Sequence, residues 1–425
     1  MRMKKYEQYK PTGISWLLEI PAHWEEKRLA TRFHGRVEAN SDFEFKRAFK
    51  FNYGSVVPKN EVGDPAEYRD VYVKYSKVLQ NDILINGLNL NYDFVSQRVA
   101  IVPEPGIVTS AYVVLRPFDT TYAPYFCYLF KAMDSQKLFH GMGTGIRLTL
   151  SFDELKKQLI PIPSIEEQKR IVAYLDKKIT LIESCKCQRE RELQTLNELK
   201  QAEIASVVTR GLNPNVPMKD SGQIQFGEIP AHWDSVKMKY CFTQRSEKGF
   251  PNEPVLCATQ SKGVIPQSLY ENRVVVVNKG FEGLKLVKVG DFVISLRSFQ
   301  GGIEYAYYQG IISAAYTILT PKDERNSQYF KYLFKSHPFI QLLQTCVTGI
   351  REGQNINYAV LGNNFIPIPP IEEQNAIVEY IEAKTNSIDK MIDALKAEID
   401  RLTEYKQRLI SDVVTGQLNV QDEIA

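Results

Sequence analysis
The chain has 425 residues, a length suited to about two to four domains. Its 44% hydrophobic and 24% charged residues exclude a globally disordered or fibrous chain, and no apolar run reaches the roughly 18–20 residues of a membrane span. The net charge of +3 is unevenly spread: residues 1–160 carry +4, 161–208 are neutral, 209–366 carry +5 and 367–425 carry −6. Mildly basic blocks suited to meeting phosphate therefore alternate with neutral and acidic ones. The start, MRMKKYEQYK, is basic but no apolar segment follows it, so no secretory signal is read and a cytoplasmic location is expected. Six cysteines make no disulfide framework, and Cys185-x-Cys187 has no second pair at zinc spacing. Reduced thiols and no metal site are expected.

In chain order, residues 1–164 are rich in Tyr, Phe, Gly and β-branched residues. Runs such as VAIVPEPGIVTSAYVVLRP read as short strands with Gly/Pro turns, and a short helix is expected over Tyr125–Met133. Residues 165–212 read as one long helix, about 165–208. Pro161 and Pro163 precede it, Glu166-Glu167 suit its positive end, and Gly211 stops it. Residues 213–369 repeat the first pattern, with strands in RVVVVNKGFEGLKLVKVGDFVISL and a helix over Tyr329–Ser336. Residues 370–425 hold a second long helix, about 371–414, and a tail. Pro367, Pro369 and Pro370 precede that helix, Glu372-Glu373 open it and Gly416 ends it. About 44 residues of helix span roughly 66 Å, too long for an ordinary domain core.

The apolar spacing of the second helix is 4-3-4-3. Ile388, Ile392, Leu395, Ile399, Leu402, Leu409 and Val413 form one seam, interrupted by Lys406. The first helix places Leu175, Ile179, Ile182, Leu193 and Leu196 on a seam broken by Lys186 and Arg189. Such spacing with charged flanks argues for a coiled coil. Each helix's simplest partner is the other, antiparallel.

The chain is an internal duplication. IPAHW at Ile20–Trp24 recurs at Ile229–Trp233, and Asp82-Ile83-Leu84-Ile85 aligns with Asp291-Phe292-Val293-Ile294, both at an offset of 209. YFCYLFK (Tyr125–Lys131) recurs as YFKYLFK (Tyr329–Lys335), and TGIR recurs from Thr144–Arg147 to Thr348–Arg351, both at 204. IPIPSIEEQ (Ile160–Gln168) recurs as IPIPPIEEQ (Ile366–Gln374), and Val207-Val208-Thr209 as Val413-Val414-Thr415, at 206. Ordered matches with so little drift mean two large modules built alike.

Catalytic signatures are missing from the sequence. There is no GxxxxGK[ST] phosphate loop, no [DNS]PP[YFW] methyltransferase loop, no HExxH and no GxSxG. Gly143-Thr144-Gly145 lacks a strand–helix context. His23 and His232 occupy equivalent positions inside IPAHW, where packing or hydrogen bonding is the expected role. A non-enzyme is the natural reading.

These features together resemble the specificity subunit of a Type I restriction–modification system. The residues that carry the resemblance are Tyr9-Lys10-x-x-Gly13-Ile14-x-Trp16, Gly227-Glu228-Ile229-Pro230-x-His232-Trp233, both IPIPx-IEEQ segments, and the helix ends Val207–Leu212 and Val413–Leu418. The resemblance covers essentially the whole chain. It implies an α+β fold with two mostly-β target-recognition domains in tandem, 1–164 and 213–369. Each is followed by a long helix (165–212 and 370–425), and the helices pair as an antiparallel coiled coil. It implies a non-catalytic subunit that reads a bipartite, asymmetric double-stranded DNA site, one half per domain, with the helices setting the gap. It implies two modification subunits as partners, carrying AdoMet and methylating adenine, and restriction subunits that use ATP and Mg to translocate and cut. No cofactor is expected in this chain. A specificity subunit of a related system cutting on both sides of its site, a coiled-coil scaffold without a DNA role, and an enzyme with an unrecognised site stay open as alternatives.

DNA-contact candidates follow from residue type. Arg reads guanine and Asn or Gln reads adenine, while Lys, Arg and glycine-loop amides hold phosphate. Thr144, Gly145 and Arg147, with Thr348, Gly349 and Arg351, are a repeated phosphate-contact candidate. Asn86, Asn89 and Asn91, and Arg297, Ser298 and Gln300, follow the equivalent Asp82 and Asp291 strands and are candidates for direct base reading. Asn52 with Tyr53, and Gln260 with Lys262, precede equivalent turns. Surface residues at the helix starts, Glu166, Gln168, Glu372 and Gln374, are candidates for the partner interface.

Overall fold
The computed structural model describes residues 4–35, 38–52, 54–60, 63–95, 97–143, 148–270, 280–323, 327–348 and 355–422. The chain forms two compact units that are not contiguous in sequence. Unit 1 is Met1–Arg189 with Ala397–Ala425, and unit 2 is Glu190–Lys396.

Each unit is built on a four-stranded antiparallel sheet with the same strand order. In unit 1 the order is Phe33–His34, Val113–Pro117, Ile83–Ile85, Val99–Ile101. In unit 2 it is Phe242–Arg245, Thr317–Pro321, Phe292–Ile294, Glu304–Tyr305. The smaller ribbons also match. The hairpin Phe49–Asn52/Ser55–Pro58 corresponds to Leu256–Thr259/Gly263–Pro266. The repeated DILI and DFVI segments are buried central strands, and their aspartates are buried acceptors. The Arg116 guanidinium forks onto Asp82 (3.0 and 2.8 Å). Arg245 donates to Asp291 at 2.9 Å from a different strand of the sheet. The ion pair is kept while its cation changes position. The stretch 271–279, expected to open with a strand, lies outside the described residues.

The long helices run over Ile165–Arg210 and Ile371–Val414. The shorter helices of the repeated aromatic motif are Ala123–Ser135 and Ser327–Leu333. Pro161 and Pro367, which precede the long helices, lie within the strands Leu159–Ile162 and Phe365–Ile368. These strands pair with Glu25–Arg28 and Asp234–Lys237 in two-stranded ribbons. A ribbon tolerates proline because the missing N–H can face outward.

Each unit contains one segment of both long helices, and in each the segments pair antiparallel. In unit 1 Lys406 donates to Glu183 (2.6 Å) and Arg189 to Glu398 (3.0 Å), so numbers rise on one helix as they fall on the other. In unit 2 Lys200 reaches Asp389 at 2.6 Å and the Tyr380 hydroxyl reaches Glu203 at 2.5 Å. The seam residues Leu175, Ile182, Leu409 and Val413 are buried in unit 1, as are Ile388 and Ile392 in unit 2. The polar interruptions Lys406 and Arg189 both form cross-helix ion pairs.

Among the described residues, the repeated IPAHW, aromatic-helix, IEEQ and Val-Val-Thr motifs meet at one junction in each unit. In unit 2 the Glu373 carboxylate accepts from the Trp233 indole (2.9 Å) and is hydrogen-bonded to His232 Nε2 (2.7 Å). In unit 1 Glu167 is hydrogen-bonded to His23 Nε2 (3.0 Å), and the Tyr6 hydroxyl takes the second place at 2.7 Å. The tryptophan rings press on the end of the other helix. Gly211 (φ 74°) and Gly416 (φ 74°) adopt a left-handed turn there, and an added Cβ would stand 3.2 Å from Trp233 and from Trp24 respectively. Glycine is therefore required for both conformation and space. The hydroxyls of Tyr125 and Tyr329 donate to the otherwise unpaired carbonyls of Val414 (2.9 Å) and Val208 (2.7 Å).

Two stability tests follow. Leu175→Ala, at a fully buried seam position, is expected to cost about 2–5 kcal/mol in urea unfolding, and Leu181→Ala on the exposed face less than about 0.5 kcal/mol. Glu373→Ala strands a buried indole N–H and is expected to cost about 1–3 kcal/mol, measured against Glu372→Ala as the exposed control.

Candidate nucleic-acid interface
The hairpin tip and the loop that follows the Asp82 or Asp291 strand lie side by side in each unit. In unit 2, Gln260 and Lys262 sit exposed on the tip between Leu256–Thr259 and Gly263–Pro266. The Thr259 hydroxyl fixes that tip by donating to Gly263 O (2.8 Å) and accepting from Lys262 N (3.0 Å). The neighbouring loop carries exposed Arg297 and Gln300. Its Gly301 is so close that a Cβ would stand 2.9 Å from the Gln260 side chain. In unit 1, Asn52 is exposed at the corresponding tip, and a Cβ on Gly54 would stand 2.4 Å from Gln97. The adjacent loop holds exposed Asn89 (φ 53°) and half-buried Asn86 and Asn91.

Not every expected contact residue is placed to make one. Ser298 is buried, and its hydroxyl accepts from Ser295 N (2.9 Å), so it shapes the loop instead of reading a base. Asn86 Oδ1 accepts from Leu88 N (3.2 Å), a local turn contact. Asn91 Oδ1 is buried without a hydrogen-bond partner. Thr348 is exposed and its hydroxyl donates to Asn355 O (3.2 Å). Tyr53, Thr144, Gly145, Arg147, Gly349 and Arg351 lie outside the described residues.

At the helix starts, Glu166 and Glu372 are exposed. Gln168 and Gln374 are not surface residues. Both are buried, and their amides donate to Pro163 O (2.9 Å) and Pro369 O (2.8 Å). They close the turn between strand and helix, which is the physical reason for the repeated Q in IEEQ.

Residue-type reasoning missed the groups that hold these loops. Arg98 is fully buried and bonds a series of loop carbonyls. Lys335 bonds Gly301 O (2.9 Å) and the carboxylate of buried Glu304 (2.5 Å). Lys335 did carry a signal, as the last residue of YFKYLFK. Arg98 carried none. Burial pushes the Glu304 carboxyl up to about 7, against the opposing pull of the Lys335 ammonium.

The signature of the Type I restriction modification DNA specificity domain matches residues 72–195 and 230–401, more than half of the chain. The chain belongs to this family. Among individual specificity-domain proteins, it is 24% identical over 449 aligned positions to a putative type I restriction enzyme MjaX specificity subunit of Methanocaldococcus jannaschii, covering 99% of both chains. The MjaVIII specificity subunit of the same organism is 26% identical, over 82% of this chain and 83% of that one. The EcoBI specificity subunit of Escherichia coli is 26% identical over 64% of this chain and 61% of that one. A chain solved in a study of complex assembly and conformational transition of the type I R-M system shares the fold, with TM-score 0.69 and 17% identity over 94% of this chain and 99% of the other. The HsdS subunit from Thermoanaerobacter tengcongensis aligns with TM-score 0.50 and 18% identity over 94% of this chain and 98% of that one.

The raised Glu304 carboxyl makes a pH test. A carboxyl raised in the folded state stabilises that state relative to an ordinary glutamate at low pH. The contribution is lost as pH rises from the unfolded value, 4.5, through about 7. The stability of unit 2 is expected to fall by about 3 kcal/mol across that window, from 1.36 kcal/mol per unit. Melting profiles from pH 4 to 8 should flatten in Glu304→Gln.

Proposed function
We infer that this chain is the DNA specificity subunit of a Type I restriction–modification complex, each unit reading one half of a bipartite double-stranded target. One observation carries the reading. The two units repeat the same strand order and present the same pair of loop tips, but the tips carry different base-reading side chains. Unit 1 presents Asn52 and Asn89, and unit 2 presents Gln260, Lys262, Arg297 and Gln300. One scaffold with two different readouts suits an asymmetric site. Thr144, Gly145, Arg147, Thr348, Gly349 and Arg351 remain the proposed phosphate contacts.

Both helices pass from one unit into the other, which suits a connector that sets the gap between half-sites. Exposed Glu166 and Glu372 are the proposed contacts to two modification subunits. Those partners carry AdoMet and methylate adenine, while restriction subunits supply ATP- and Mg-dependent translocation and cleavage. This chain contributes recognition and no chemistry. No helix among the described residues is long and apolar enough to cross a membrane, which fits work on cytoplasmic DNA.

The test is methylome sequencing of a host expressing the chain with its modification subunit, and with each alone. The expected outcome is a new N6-methyladenine motif only in the pair, written as half-site, fixed gap and a different half-site. Affinity of the complex for duplex DNA should also fall steeply with salt. Failure to form a complex with the modification subunit overturns the assignment.

A further inference from the structure
A buried or partly buried cation organises the reading loop in each unit, by a different residue in each. In unit 1 the Arg98 side chain is wholly buried. Its guanidinium donates to the carbonyls of Asn86 (3.0 Å), Leu88 (2.8 Å) and Asp93 (2.6 Å), and at 3.5 Å to Asn89. Its backbone N–H donates to the buried Asp134 carboxylate at 2.7 Å, and its carbonyl accepts from Asn86 N at 2.8 Å. The backbone of the loop thus converges on one planar fork, and Asn89 is left projecting outward. A guanidinium suits this task because its donors are rigidly splayed.

In unit 2 the corresponding task falls to Lys335. Its ammonium donates to Gln260 O (3.2 Å), Gly301 O (2.9 Å) and Glu304 Oε1 (2.5 Å). Gln260 belongs to the hairpin tip and Gly301 to the Arg297–Gln300 loop, so one side chain ties both reading elements together. Its three donors meet three acceptors. Gly302 (φ 83°) lets the loop pass the end of the aromatic helix, where a Cβ would stand 2.2 Å from Phe334 O.

We propose that Arg98 and Lys335 are positioning residues for DNA recognition, each setting the backbone that presents the base-reading side chains of its own unit. The proposal rests on the reading of the units as half-site readers. Removing the cation takes the side-chain donor from the carbonyls of Asn86 and Leu88 in unit 1 and of Gly301 in unit 2, and the loop relaxes to hydrate them. A small displacement is enough to break a bidentate base contact.

The experiment uses the full chain assembled with its modification subunit. Competition binding compares the methylome-defined duplex with duplexes mismatched in one half-site. Lys335→Met is expected to lower discrimination at the unit 2 half-site by roughly 5- to 150-fold, the range carried by one bidentate contact. Discrimination at the other half-site should stay within about twofold, by the independence of distant sites, with the salt slope unchanged. Arg98→Met should do the reverse. Lys335→Met with Glu304→Gln guards against an uncompensated buried carboxylate, and Lys335→Arg should recover part of the loss. Gln300→Ala is the direct-reader control. If it lowers discrimination while the Lys335 variants do not, positioning is overturned and half-site reading stands. If none lowers it, both fall. Equal loss at both half-sites, or a complex that no longer assembles, marks a merely structural role and overturns the proposal.

Discussion
A carboxylate one turn into each long helix ties three pieces of chain together. Glu167 and Glu373 each take a hydrogen bond from the IPAHW histidine and a second from an aromatic donor, the Tyr6 hydroxyl and the Trp233 indole. The tryptophan of the same IPAHW segment seats the glycine that ends the other helix. A helix start, a helix end and a module are thereby fixed at one point. Helix ends leave unpaired amides and carbonyls that a buried site must satisfy. Here the module supplies the partners, including the tyrosine hydroxyls that take the carbonyls of Val414 and Val208. Everything farther out is carried by these two junctions.

The junctions also explain several of the motifs that recur between the two halves. IPAHW, the Glu-Glu-Gln helix starts, the aromatic helix and the Val-Val-Thr helix ends all lie within this contact set. At these positions recurrence marks the frame. The loop tips, where readout is proposed, carry different residues in each unit although the strands beneath them keep the same order. Even the supporting cation differs, arginine in one unit and lysine in the other. The Asp82 and Asp291 ion pairs show the same freedom, with the arginine drawn from different strands. What is held constant is the electrostatic task, not the residue that performs it.

The α+β architecture, the duplication and the antiparallel helix pair were legible because each rests on periodic or repeated signals. The seam of Ile388, Ile392, Leu409 and Val413 follows from 4-3 spacing alone. Helix stops at Gly211 and Gly416 follow from local backbone preference. The loop residues were legible only as types. Ser298 and Asn86 have the chemistry to contact a base, yet the Ser298 hydroxyl and the Asn86 Oδ1 accept hydrogen bonds within the loop. Gln168 and Gln374 read as surface groups and are buried caps.

The sequence by itself determined the repeat, the element types and the pairing of two helices, because those depend on spacing along the chain. Tertiary structure alone decided that Arg98 and Lys335 lie beneath the reading loops, that Glu304 is buried, and that each compact unit takes its helices from both halves of the chain. These facts depend on contacts between residues far apart in sequence. No local propensity or period encodes which carbonyls will converge on a cation once strands and helices pack.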